Sequence, residues 1–179
     1  EHAEKIYVMG GSTNTYLATM EEYDPATNIW TPKASMPAAR NGIGAAAVDG
    51  KIYAIGGQSF SGFFATVEEY DPATNTWATK AVMTTARYDL AAAAVGGKIY
   101  ALGGGNGRNK NQEYDPATNT WATKAVMPMG RESLAASAVG GKIYVVGGEN
   151  GSNFVDTSDE YAPVAGTWAT KAAMTLSRN

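Results

Sequence analysis

Cysteine is absent from this 179-residue chain, and histidine occurs once, as His2. The first absence excludes disulfides, thiolate metal sites and thiol nucleophiles together. The second leaves zinc without the clustered ligands it needs, and a Ser-His-Asp arrangement with nothing but His2 to build on. No apolar run approaches the ~18 residues of a membrane-spanning helix. The formal net charge of -3 supplies no basic footprint, so nucleic acid is not an expected partner. Gly103-Gly104-Gly105-Asn106-Gly107 lacks the Gly-Lys-Ser/Thr ending of a phosphate loop and reads as a β-turn loop. No catalytic group, metal or cofactor is expected. Asn150-Gly151-Ser152 matches a glycosylation sequon by pattern only. The chain opens at Glu1 without an initiator Met or a leader, and reads as a processed product or a piece of something longer.

What the chain does contain is one unit written four times. Lys-Ile-Tyr occurs at Lys5, Lys51, Lys98 and Lys142, each followed after two residues by a Gly-Gly pair. Glu-Tyr ends at Tyr23, Tyr70, Tyr114 and Tyr161, and the four tryptophans, Trp30, Trp77, Trp121 and Trp168, each lie seven residues further on. A Met follows each Trp by six residues, and an Arg follows each Met by four: Arg40, Arg87, Arg131 and Arg178. The period is 44 to 47 residues. The units run approximately over 1–39, 40–86, 87–130 and 131–177, as one segment spanning 1–179.

Each unit reads as four antiparallel strands. The first follows the Arg and is rich in small residues (Ile43 to Val48, Leu90 to Val95, Leu134 to Val139), which lets backbones approach near a crowded axis. The second is Lys-Ile-Tyr-x-x-Gly-Gly, whose near-continuous apolar run suggests burial on both faces. The third ends at Glu-Tyr. Asp-Pro-Ala-Thr-Asn then turns the chain, with Asp at the first turn position and Pro pre-setting φ at the second. The last unit keeps only the Pro, in Ala162-Pro163-Val164-Ala165-Gly166. The fourth strand carries the Trp. Such a sheet, apolar on both faces, is not stable alone, and radial stacking of the units buries both. The fold class expected is therefore all-β, a propeller. The first unit begins at its second strand and lacks the innermost one. The repeated arginines read as scaffold, pairing with carboxylates such as Glu22, Glu69 or Glu113.

The Gly-Gly pair, the Tyr and Trp separated by six residues, and the Met-x-x-x-Arg step together resemble the Kelch repeat, over essentially the whole chain. No Trp-Asp dipeptide of the competing WD repeat occurs. The resemblance implies a Kelch-type β-propeller, usually of six blades. A segment of a longer ring is expected, ahead of a closed four-bladed ring or of self-association through open edge strands. Of the enzymatic branches, the copper-radical oxidases need a Tyr-Cys crosslink and two His ligands, which this chain lacks. Sialic-acid mutarotases need only an acid/base carboxylate and an Arg for the sugar carboxylate, roles in which Glu132, Glu149 and Arg108 can be imagined.

The units differ in length at one place. From the second Gly to the Tyr there are 12, 13, 10 and 13 residues, and every other interval is constant. The aromatics outside the repeated positions, Tyr16, Phe60, Phe63, Phe64 and Phe154, fall in that segment, and Tyr88 directly follows Arg87. Varied loops on a rigid scaffold are where recognition is placed. In Kelch domains that capture peptides, the ligand face is formed by this loop and by the residues just after the Arg. The resemblance thus points to Gln58, Phe60, Asn106, Arg108, Glu149 and Asn150, and to Asn41, Tyr88, Asp89 and Glu132. The leading expectation is a non-catalytic module that binds a protein, peptide or glycan on this face. The alternatives are a carbohydrate-active enzyme of the mutarotase kind and a structural array in a larger surface protein. Leu17, Phe64 and Val155 share a position six residues before the Tyr and are expected in the core.

Overall fold

The computed structural model describes residues 5–151 and 153–178. His2, the residues before the first unit's second strand, Ser152 of the sequon and Asn179 lie outside them. Every regular element among the described residues is a strand. β1 (Ile6–Met9), β2 (Met20–Asp24) and β3 (Ile29–Lys33) form a three-stranded antiparallel sheet. β4 (Gly44–Val48) and β5 (Lys51–Ile55) belong to the second sheet, whose connecting loop carries a two-residue hairpin, β6 (Gln58–Ser59) and β7 (Gly62–Phe63). β8 (Val67–Asp71) and β9 (Thr76–Lys80) complete that sheet in the order β4-β5-β8-β9. The third is β10 (Ala91–Val95), β11 (Lys98–Leu102), β12 (Asn111–Asp115) and β13 (Thr120–Thr123), and the fourth is β14 (Ala135–Val139), β15 (Lys142–Val146), β16 (Ser158–Ala162) and β17 (Thr167–Lys171). Each four-stranded sheet is a meander in sequence order, and the Ala-rich inner strands β4, β10 and β14 pack side by side, as strands lining a propeller axis do.

The repeated residues are the seams between sheets. Lys-Ile-Tyr tyrosines meet Glu-Tyr tyrosines of the following sheet, Tyr7 on Tyr70, Tyr53 on Tyr114 and Tyr100 on Tyr161, with ring centroids 6.1, 5.9 and 5.8 Å apart. The indole N–H groups of Trp77, Trp121 and Trp168 each donate to a carbonyl of the preceding sheet's exit, Ala34, Ala81 and Ala125, all at 2.8 Å. Turn residues Asn75 and Asn119 sit at φ 56° and 54°, a left-handed conformation Asn tolerates. Their side-chain oxygens accept from the amides of Ala34 and Ala81 and from the hydroxyls of Tyr70 and Tyr114.

The arginines bolt neighbouring sheets together. The carbonyls of Arg40, Arg87, Arg131 and Arg178 accept from the second glycine of the preceding sheet, Gly11, Gly57, Gly104 and Gly148. The side chains of the first three reach into the following sheet and are fully buried. Arg40 donates to the Gly56 carbonyl, Thr66 and Glu68; Arg131 to the Gly147 carbonyl, Thr157 and Asp159; Arg87 to the Gly103 carbonyl and Gln112. The expected partners Glu22, Glu69 and Glu113 are thereby corrected by one residue. Alternation along the strand turns them to the opposite face, where they accept from Tyr7, Tyr53 and Tyr100 and pair with Lys33, Lys80 and Lys124.

The row of sheets is open at both ends. Ile6 is 54% exposed, whereas Ile52, Ile99 and Ile143 at the same position are 8%, 0% and 0% exposed. Arg178 is exposed where its three counterparts are buried. A closed four-bladed ring would have covered both faces.

Candidate ligand-binding face

The glycine pair that ends each second strand turns the chain toward the start of the first strand in the same sheet. At Gly57, φ 99°, a Cβ would stand 2.7 Å from the Asn41 carbonyl, so only glycine permits the approach. The result is a recurring bridge between the residue after the Arg and the residue after the second Gly: Asn41 with Gln58, Tyr88 with Gly105, Glu132 with Glu149. The varied loops and the varied strand starts are therefore held edge to edge on one end of the sheets.

Two groups form there. The first joins the loops of the first two sheets. Asn41 and Phe60 stand beside Ser12 to Tyr16 around a depression of about 220 Å³, and Gln58 joins the group through its bridge to Asn41. Phe60 is 82% exposed and meets Tyr16 edge-on with centroids 4.7 Å apart. The Asn41 side-chain amide donates to Ser12 at 3.2 Å, while its oxygen is buried without a partner.

The second group lies where the inner strands begin. Tyr88 packs on Phe63 of the preceding sheet's hairpin at 4.5 Å, and leans over Gly105, where any Cβ would collide with its ring and with Glu132. Asp89 occupies the left-handed region at φ 49°, as Gly42 and Ser133 do at the matching positions. Asp89 N–H donates to the Gly42 carbonyl and Ser133 N–H to the Asp89 carbonyl, each at 2.8 Å, which ties three sheets in succession. Burial, with the charges of Glu132 and Glu149, raises the Asp89 carboxyl above the ordinary carboxylate range. Burial and the same neighbourhood raise the Tyr88 phenol, against the pull of Arg108.

Arg108, Glu132 and Glu149 do converge, which their spacing did not reveal. Arg108 is exposed at its loop, and its guanidinium pairs with buried Glu132 from the next sheet. Asn106 and Asn150 stand outside both groups. The Asn106 amide donates to the Ala86 carbonyl, and Asn150 touches Met129. Tyr16 is the ring partner of Phe60, and Phe63 that of Tyr88. Ser12, Thr13 and Asn14 were missed by sequence reasoning; their position in the length-varied loop was the signal available. Val155 is buried as expected, and Leu17 and Phe64 half-buried, with the Arg40 guanidinium 5.4 Å from the Phe64 centroid.

Comparison with known proteins bears on the fold and on the kind of surface. A family profile described as the KLHDC2/KLHL20/DRC7 Kelch-repeats domain matches residues 1–148, and one described as the Kelch motif matches residues 130–175. Among curated proteins, the chain is similar to Kelch-like ECH-associated protein 1A of Danio rerio, 38% identical over 56 residues, covering 31% of this chain and 9% of that protein. It is similar to Kelch-like protein 15 of Danio rerio, 39% identical over 69 residues, covering 34% of this chain and 11% of that one. The matches thus span about a tenth of those relatives' length. Among solved structures, that of YjhT superposes with a TM-score of 0.84 at 20% identity, over 96% of this chain and 63% of the other.

Proposed function

Since this chain belongs to the Kelch-repeat family and has the family's propeller fold, we propose that it is a non-catalytic binding module whose ligand is a peptide segment of a protein partner, held on the end that carries the varied loops. The observation that carries the reading is the pairing of Phe60 with Tyr16 and of Phe63 with Tyr88 on that end. Phe60 and Phe63 are exposed and Tyr16 and Tyr88 half-buried, and both pairs bridge neighbouring sheets through unrepeated residues, outside the tyrosine, indole and guanidinium contacts of the seams. Aromatic anchors of this kind dominate the energetics of protein interfaces. The name of the first zebrafish relative records association with another protein, which supports the same class of partner here. The three carboxylates around Tyr88, offset by one arginine, favour a peptide of neutral or positive charge.

The test is an immobilised panel of peptides and glycans, probed with the wild-type chain and with Phe60→Ala and Tyr88→Ala. Peptides retained by the wild type should lose more than about tenfold in affinity to either variant, the scale of an interface anchor. Stability of Phe60→Ala should stay within about 0.5 kcal/mol, as for surface changes generally. Retention of glycans alone would change the ligand class, and peptide binding untouched by both variants would remove the site.

A further inference from the structure

Where the inner strands begin, three carboxylates gather with one paired cation. Strand carboxylates elsewhere have their cations: Glu22 pairs with Lys33, Glu69 with Lys80, Glu113 with Lys124, and Glu160 with Lys142 and Lys171. At the starts of β10 and β14 this pattern stops. Among the described residues, Arg108 pairs with Glu132, while the Asp89 and Glu149 carboxylates meet no cation and accept no hydrogen bond. None of the three acids is required by the repeat. Gly42 and Ser133 stand where Asp89 does, Asn41 and Tyr88 where Glu132 does, and Gln58 and Gly105 where Glu149 does. Asp89 is hydrogen-bonded through its backbone to Gly42 of the second sheet and Ser133 of the fourth, so its surroundings are set by internal neighbours.

A second observation points to a ligand. Glu132 is 6% exposed, and although its Oε1 accepts from Arg108, its Oε2 is buried without a partner. Gly105 shows where that oxygen lies. A Cβ there would stand 2.6 Å from Glu132 Oε2 and 2.3 Å from Tyr88 Cζ, so the unfilled oxygen rests against the Tyr88 ring. On the neighbouring sheet, half-buried Asp89 holds its Oδ1 over Gly42, 2.4 Å from where a Cβ would be. Among the described residues these acids are not grouped as ligands of one metal ion. The cation that fits is one whose donors are spread over a flat surface. A guanidinium is planar, carries five N–H donors, stacks on aromatic faces and is more weakly hydrated than an ammonium.

We propose that this place is a subsite for an arginine side chain of the ligand, its guanidinium stacked on the Tyr88 ring and donating to the Asp89 carboxylate. Glu132 and Glu149 supply the rest of the negative field. The inference rests on the reading of this end as a peptide-binding face, and it names a residue the peptide carries. Phe63 backs the Tyr88 ring with centroids 4.5 Å apart, which leaves the ring its other face for the guanidinium. Arg108 stays on Glu132, so the group keeps an excess of negative charge for the incoming cation to offset. An acidic side chain at the same place meets like charge and is rejected.

Amide NMR of the isotope-labelled full chain, titrated with N-acetyl-arginine N-methylamide, reads the subsite without any peptide. Saturable shifts are expected at Tyr88, Asp89 and Glu132. The lysine analogue, and the neutral, isosteric citrulline analogue, should bind more than about tenfold more weakly. Asp89→Asn keeps a residue suited to φ > 0. It should lose the arginine derivative by a similar factor while its spectrum stays that of a folded protein. Absence of saturable shifts at these residues overturns the proposal. So does equal binding of either analogue, or undiminished binding by Asp89→Asn. Peptides that bind through Phe60 and Tyr88 with no preference for arginine overturn the subsite and leave the wider reading standing. The arginine derivative bound at these residues by a chain that retains no peptide supports the subsite and removes the wider reading.

Discussion

Asp89 is a residue whose charged form the fold disfavours. Its carboxyl sits in a left-handed backbone position, partly buried, with Glu132 and Glu149 nearby, and is raised above its ordinary range. The folded state therefore binds this proton more tightly than the unfolded chain does. The contribution is favourable below about pH 4, the unfolded value, and is lost as pH rises through the raised folded value. Asp89→Asn keeps a residue suited to φ > 0 and removes the charge. Denaturant titrations should find this variant more stable than the wild type at pH 7, with the gap narrowing toward pH 4. A less stable Asn variant at pH 7 would show that the carboxylate is structural. Legibility at this scale was uneven. Tyr88, Asp89 and Glu132 were indicated by the resemblance to Kelch domains whose ligand face includes the residues just after the Arg. The Arg108–Glu132 pair was not, because it joins loops of two different sheets and depends on a side chain crossing between them.

Single elements carry the repeat and its one lapse. In three turns an Asn takes the left-handed position, and its side chain accepts from the tyrosine hydroxyl five residues earlier, Tyr23, Tyr70 and Tyr114. The fourth turn has Gly166 there, at φ 68°, and among the described residues the buried Tyr161 hydroxyl makes no well-aligned hydrogen bond, the Asn111 side chain being its polar neighbour. The departure was visible as a missing Asp and Asn in Ala162–Gly166. Its consequence was not, since only the fold shows that the Asn reaches the Tyr. A Cβ at Gly166 meets open space. Gly166→Asn should accordingly restore the bond and stabilise the protein by about 1 kcal/mol, read as a shift in the denaturant midpoint. An unchanged or lower midpoint would mean that Tyr161 is satisfied another way. Strand positions were legible because four copies in fixed register turn spacing into geometry. The β6–β7 hairpin was not, for it lies in the length-varied loop, where one copy cannot be read against another.

For the whole molecule, stability resides in seams rather than in a single core. Each repeated residue is spent on a neighbour: tyrosine on tyrosine, indole on carbonyl, guanidinium on the next sheet. That is why the loops are free to vary, and why the terminal sheets remain open where inner ones are sealed. The arginine partners were misassigned by one residue because both Glu positions of a third strand carry carboxylates in the first two units, and composition alone does not say which faces the seam. Glu68 and Asp159 face it; Gln112 replaces the acid in the third sheet, and burial without a carboxylate lowers the Arg87 guanidinium to about 10. The most direct test of the seam account is the unfolding free energy of Arg131→Met. This change leaves the Asp159 carboxylate buried and unpaired, and should cost about 3–5 kcal/mol. A midpoint equal to that of the wild type would contradict the claim that these arginines hold the sheets together.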